Sequence, residues 1–209
     1  MKLCITGTDT NIGKTLTCAW LCYHLKFAYW KPIQTGAIDG TDRECIRKME
    51  IEATAYPETY FYEPRCSPHV AAELYNEEID LNTILMPSSK NLIIEGAGGL
   101  FVPLNQQALL IDLIKKWNVP VLLVARADLG TINHTLLSLE ALKKRHILIL
   151  GVILNNIKDQ DRVLKNKEAI EHYGKIPVWE GLPNLNPLTP QSIKNINLPD
   201  SLRKKIKYD

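Results

Sequence analysis

The chain has 209 residues, 45% of them hydrophobic and 23% charged, with a formal net charge of +2 at pH 7. This size and balance suit one α/β domain with a substantial core, expected over residues 1–209. The small charge argues against nucleic-acid or membrane-surface partners, and no stretch approaches the roughly 18 apolar residues of a membrane span.

The N-terminus lacks the basic-then-apolar pattern of a signal peptide. The five cysteines are scattered, without CxxC pairs, so a reducing, cytoplasmic location is expected. Cys18 and Cys22 share a helix face, but Trp20, Leu21 and Leu25 around them favour core packing over metal. The run Arg203-Lys204-Lys205-Ile206-Lys207 reads as a solvated helix end rather than a binding patch.

Leu3, Cys4 and Ile5 form a short β-prone run. The polar loop Gly7-Thr8-Asp9-Thr10-Asn11-Ile12-Gly13 follows, and Lys14 and Thr15 open a helix patterned over 16–26. Strand, glycine-bounded loop, Gly-Lys-Thr and helix is the order of a phosphate loop. Successive backbone N–H groups can point at phosphate oxygens, and the helix dipole adds to that field. Lys14 can reach terminal phosphates, and the Thr15 hydroxyl can ligate Mg²⁺. The usual first glycine of the motif is replaced by Thr8, and Gly7 lies one step earlier. A Gly-Lys-Thr alone is also compatible with an ordinary turn and cap; the strand before and the helix after it favour nucleotide binding.

Phe27 to Ile33 is expected as one strand with Lys31 near its end, and a loop through Gln34, Thr35, Gly36 and Gly40 follows. Asp42 to Glu52 reads as helix, 53–68 as irregular, and Pro68 to Tyr75 and Asp80 to Met86 as short helices. Asn91 to Glu95 is a buried strand ending in Glu95-Gly96-Ala97-Gly98-Gly99. Then come a helix at Leu109 to Trp117, a strand at Val119 to Ala125, and a helix at Ile132 to Lys144 capped by Asp128-Leu-Gly-Thr131. A strand at Ile147 to Leu154 ends in Asn155-Asn156. Asp161 to Tyr173 is helical, Ile176 to Trp179 a strand, and the segment with Pro183, Pro187 and Pro190 mostly loop. Ser201 to Ile206 forms a last helical turn or two. About six alternations of strand and helix predict a doubly wound, mostly parallel sheet with helices on both faces, of the P-loop NTPase type. Ligands bind such sheets at the carboxyl ends of the strands, where Lys31, Glu95, Asp128 and Asn155 are expected.

Glu95 is the candidate for the second-strand carboxylate that holds Mg²⁺, against the alternative of a turn cap. Asp42 either adds a second carboxylate or caps the helix it opens. Lys31, between Trp30 and Pro32, either points into the cleft with Lys14 or is a surface lysine. Two lysines converging on a γ-phosphate would stabilise the charge that shifts in phosphoryl transfer.

The set Gly7-Thr-Asp-Thr-Asn-Ile-Gly-Lys-Thr15, Lys31-Pro-Ile-Gln-Thr-Gly36, Ser67-Pro-His69, Glu95-Gly-Ala-Gly-Gly99 and Gly130-Thr-Ile-Asn-His134 resembles the dethiobiotin synthetase family and spans most of the chain. The resemblance implies ATP-dependent ureido-ring closure on 7,8-diaminopelargonate with CO₂. It implies Lys14 and Lys31 as catalytic cations, and Mg²⁺ among Thr15, Asp42 and Glu95. It further implies a nucleotide site built from Asn11, Ile12, Gly13, Lys14, Thr15, Leu16, Asp42, Glu95, Gly96, Ala97, Gly98, Asn155, Asn156, Pro183, Asn184 and Leu185, with Asn155 reading the base. Thr10 and Thr35 would meet the substrate, whose distal carboxylate would sit on Gly130, Thr131, Ile132 and Asn133 of a second subunit; a homodimer is therefore implied. The chain departs from the family at Asn11, often acidic there, and around Asn184 and Asn186, where a glutamate is usual. The competing readings are a ParA/MinD-like ATPase switch, an amidotransferase-type synthetase, for which the chain is too short, and a non-catalytic nucleotide-binding module.

Overall fold

The computed structural model describes residues 1–208, with side chains through residue 206; Asp209 and the Lys207 and Tyr208 side chains lie outside the described part. In chain order the elements are β1 (Lys2–Gly7), α1 (Lys14–Leu25), β2 (Ala28–Trp30), β3 (Ile33–Gln34), α2 (Asp42–Lys48), β4 (Ala55–Tyr56), β5 (Tyr60–Phe61), α3 (Pro68–Leu74), β6 (Leu92–Gly99), α4 (Leu110–Trp117), β7 (Val121–Arg126), α5 (Thr131–Lys144), β8 (Ile149–Asn155), α6 (Gln160–Gly174), β9 (Val178–Glu180), α7 (Pro190–Lys194) and α8 (Asp200–Tyr208).

The main sheet has seven strands in the order β4-β2-β6-β1-β7-β8-β9, and its pairings are all parallel. Its central strands are apolar on both faces because both are covered. Leu3 and Ile5 of β1 pack with α1, α7 and α8, while Cys4, on the opposite face, joins the core under α4 and α5. Leu122 and Val124 of β7 face the first core, and Val121 and Leu123 the second. The doubly wound arrangement expected from the strand–helix alternation is therefore present. β1 lies between β6 and β7, which the chain reaches later, so the loop leaving β1 opens into the crevice where strand order reverses.

Several boundaries differ from expectation. The run 27–33 is two strands, not one: after Trp30 the chain leaves the main sheet at Pro32, and β3 pairs with β5 in a second, two-stranded sheet. The segment 53–68 thus holds two short strands. Asp80 to Met86 is not a helix. The Asp80 carboxylate accepts the Asn82 N–H at 2.8 Å and its carbonyl accepts the Thr83 hydroxyl at 2.8 Å, side-chain bonds that compete with helix formation. α2 stops at Lys48 because Glu50 takes a left-handed φ of 50°. Pro190–Lys194, expected as loop, is a helical turn with Thr189 at its N-cap.

Candidate active site

The phosphate loop is shaped by contacts at both ends. Thr8 N–H donates 3.0 Å to Val124 O of β7, so the chain leaves β1 along its neighbour. The positive φ values in the loop fall at Asn11 (53°) and Gly13 (86°), and the Thr8 slot has no need of glycine. Gly13 does: besides its φ, a Cβ there would lie 2.9 Å from Asn155 Nδ2. Asp9 is paired with Arg126 at the end of β7.

Lys14 is buried, and its ammonium donates 2.7 Å to the Asp9 carbonyl, curled onto its own loop. Burial pulls its pKa down to about 8, against the opposing charge of Glu95.

Thr15, Lys31, Asp42 and Glu95 form one cluster. The Thr15 hydroxyl lies 2.8 Å from both Asp42 Oδ1 and Glu95 Oε1, and it has one proton to offer two acceptors. Lys31 Nζ pairs with Asp42 Oδ2 and is 3.7 Å from Glu95 Oε1. Burial pushes Glu95 up and Lys31 down. Attraction reverses the sign for Lys31, which faces two carboxylates and ends above its ordinary value. Glu95 stays raised because burial outweighs the attraction of Lys31, and the like charge of Asp42 adds to the rise. The helix-cap alternative for Asp42 is not taken: Thr41 caps α2, exchanging bonds of 3.0 Å with Glu44, and Gln34 Oε1 accepts the Asp42 N–H at 3.1 Å. The Asp42 carboxylate is thereby left to the cluster.

Two carboxylates and a hydroxyl, short of protons and neutralised by an ammonium, form a donor set that suits a hard divalent cation. Among the described residues no three His, Cys, Asp or Glu converge as a closed metal cage. Mg²⁺ does not require one, since it keeps waters and shares phosphate oxygens.

A cavity of about 950 Å³ is lined by Thr10, Asn11, Gly13, Lys14, Thr15, Leu16, Lys31, Thr35, Asp42, Glu95, Ala97 and Gly98, among others. Most of the expected nucleotide and metal residues therefore meet in one place. Ile12 and Gly96 support it without lining it; Ile12 is buried, and a Cβ on Gly96 would press on Leu110 at 3.1 Å. Asn156, Pro183, Asn184 and Leu185 lie beyond the end of β8, outside the cavity lining. Asn156 N–H donates 2.9 Å to Leu182 O, and Asn184 N–H donates 3.1 Å to Ile157 O. Gly130, Thr131, Ile132 and Asn133 start α5 away from this cavity; Gly130 takes a φ of 90° and neighbouring Leu129 is 95% exposed. A second cavity, about 930 Å³, runs from Thr8, Asp9 and Thr10 along Leu100 to Pro103 and α5 to Lys144 and Arg145.

Asn155, at the end of β8, is held inside the fold. It is 3% exposed. Its Nδ2 donates to Thr17 Oγ1 at 2.6 Å and to Gly13 O at 3.2 Å, and its Oδ1 accepts the Leu182 N–H at 2.9 Å. The amide braces the phosphate loop against β8. Sequence reasoning also missed Tyr29, Gln34, Thr17 and Arg126. Only Gln34 carried a local signal, its place within the Lys31-to-Gly36 motif.

A family model described as an AAA domain matches residues 1–192. ATP-dependent dethiobiotin synthetase BioD of Lawsonia intracellularis is 46% identical over 97% of this chain and 98% of its own length. The protein of the same name from Paramagnetospirillum magneticum is 41% identical over 93% and 94%. Among solved structures, a ParA family ATPase from Chlorobium tepidum superposes with a TM-score of 0.61 at 12% identity, covering 100% of this chain and 98% of the other. The MinC:MinD complex of Aquifex aeolicus gives 0.61 at 14% identity, covering 100% and 96%. At such identities the structural likeness speaks for the fold alone.

Proposed function

The chain belongs to the family of ATP-dependent dethiobiotin synthetases, and from that premise we propose that it closes the ureido ring of dethiobiotin on 7,8-diaminopelargonate with CO₂ and ATP. One amine takes up CO₂ as a carbamate. A carbamate oxygen attacks the γ-phosphorus, ADP leaves, and a carbamic–phosphoric anhydride forms. The second amine attacks the activated carbonyl, loses a proton and expels phosphate. No protein group becomes covalently attached, so the protein contributes positioning and charge stabilisation. The observation that carries this reading is the convergence of Lys14, Thr15, Lys31, Asp42 and Glu95 on one cavity lining.

In this reading the backbone of Asn11, Ile12 and Gly13, with Leu16 and Gly96 to Gly98 around it, receives the phosphates at the start of α1. Lys14 exchanges the Asp9 carbonyl for phosphate oxygens. Thr15, Asp42 and Glu95 would hold Mg²⁺, which when bound neutralises phosphate charge. Lys31, no longer needed as their counter-ion, turns its ammonium to the charge moving between carbamate and γ-phosphate. Thr10 and Thr35 meet the diamine substrate, and Asn156, Pro183, Asn184 and Leu185 flank the base.

The distal carboxylate is assigned to the N–H groups of Gly130 to Asn133 in a second copy of the chain. Supporting this are the separation of that helix start from the cavity of its own protomer and the exposed apolar side chains Phe101, Leu129 and Leu137. The protein is expected to sediment as a dimer under assay conditions, and a fully active monomer in analytical ultracentrifugation would rule out the shared site. The five free cysteines support a cytoplasmic location. Among the described residues no helix is long and apolar enough to cross a membrane.

The decisive test is incubation with ATP, Mg²⁺, bicarbonate and 7,8-diaminopelargonate. Dethiobiotin is expected by mass spectrometry, with ATP consumed only when the diamine is present. Diamine-independent hydrolysis without product would favour a ParA/MinD-like switch.

A further inference from the structure

Glu95 is 1% exposed, and its two oxygens face different surroundings. Oε1 faces Thr15 and Lys31 in the cavity. Oε2 points the other way, into the core beneath α1, where the Tyr29 hydroxyl donates to it at 2.8 Å. Tyr29 is fully buried on β2, in the apolar cluster that holds Cys18 and Cys22.

We propose that Tyr29 is a positioning residue for the metal-binding carboxylate, turning Glu95 so that only Oε1 is presented to the divalent cation. The inference rests on the assignment of Thr15, Asp42 and Glu95 as the Mg²⁺ site. A carboxylate on a strand next to small residues otherwise has freedom to rotate about its last bonds. The Tyr29 hydrogen bond removes that freedom from behind, where water cannot replace it. The phenol suits the task because its hydroxyl has a proton to donate while its ring fits the apolar cluster around it. Partners of this kind, one bond behind the ligand, typically change metal affinity by about 10- to 100-fold when removed.

The test is Tyr29→Phe, which keeps the ring and removes one hydrogen bond. Mn²⁺ serves as the probe, titrated by electron paramagnetic resonance into the enzyme–ADP complex, and ADP affinity is measured separately in EDTA. About a tenfold or greater loss of Mn²⁺ affinity, with metal-free ADP affinity unchanged, is expected. Mn²⁺ affinity equal to that of the parent would overturn the proposal, as would an equal loss in both measurements, which marks a general structural role. In the parent protein, the hydroxyl-bearing ring-carbon resonance of Tyr29 is expected to shift on addition of Mg²⁺ and ADP but not of ADP in EDTA; a resonance that stays put overturns the proposal even if the variant fails to fold. Glu95→Gln separates the two levels of the reading. If it leaves Mn²⁺ affinity intact, the metal-site assignment fails and the Tyr29 role falls with it. If it weakens Mn²⁺ while Tyr29→Phe does not, only the Tyr29 role fails.

Discussion

Lys31→Met lowers dethiobiotin formation by about 10³-fold at saturating ATP, the range seen when one preorganised charge is removed from a developing anion in a water-excluded site. The ammonium is buried, so its field is poorly screened. The variant should still fold. Glu95 retains Tyr29, Asp42 is partly open to water, and the one Thr15 proton still serves either carboxylate. A stability loss of about 1–3 kcal/mol is expected from carboxylates left short of a partner, and added Mg²⁺ should recover part of it by supplying the missing positive charge. Lys31→Arg should not restore activity, because a planar guanidinium is larger and spreads its charge. Product formation by Lys31→Met within tenfold of the parent would remove Lys31 from the catalytic machinery.

Asn155→Ala should weaken ADP binding and destabilise the fold together. The substitution strands the Leu182 N–H and unties the loop from β8, while the Thr17 hydroxyl and the Gly13 carbonyl keep their bond to each other. A buried group left without a partner costs about 1–3 kcal/mol, and a loss in that range is expected in the stability measured by denaturant unfolding. ADP affinity should fall at least about tenfold, equivalent to about 1.4 kcal/mol, because the loop must then be ordered at the moment of binding. Asn184→Ala, on the exposed loop beyond β9, should keep its folding stability within about 0.5 kcal/mol of the parent. A stable Asn155→Ala protein with unchanged ADP affinity would mean that the phosphate loop holds its shape without the brace.

Legibility in the sequence followed distance along the chain. The phosphate loop, the Lys31 motif and the Glu95 glycine run are local strings whose chemistry is read from neighbours. Even Asp42 was within reach, although its helix-cap role went to Thr41, a residue with the same local credentials. The strand split at Pro32 was half visible, since proline leaves a sheet readily. Its partner strand β5, in a segment dominated by tyrosine and proline, was not. Asp80 to Met86 had helical spacing, but the Asp80 side chain bonded the backbone first. Tyr29 looked like any buried β residue. Its partner Glu95 lies 66 positions away, and the Asn155–Thr17 bond spans 138.

The amino-acid sequence by itself determined the doubly wound sheet, the position of the nucleotide cleft at its carboxyl edge and the charged residues that line it. Periodicity, glycine placement and short motifs carry that information within a few residues. Only the tertiary structure decided how those charges are spent without ligands: Lys14 on the Asp9 carbonyl, Lys31 on two carboxylates, Asn155 on the loop, Tyr29 behind Glu95. The last two join residues 138 and 66 positions apart, which only the packing of the sheet and α1 brings within hydrogen-bond distance. The phosphate loop is thus a local motif whose shape is held by distant residues.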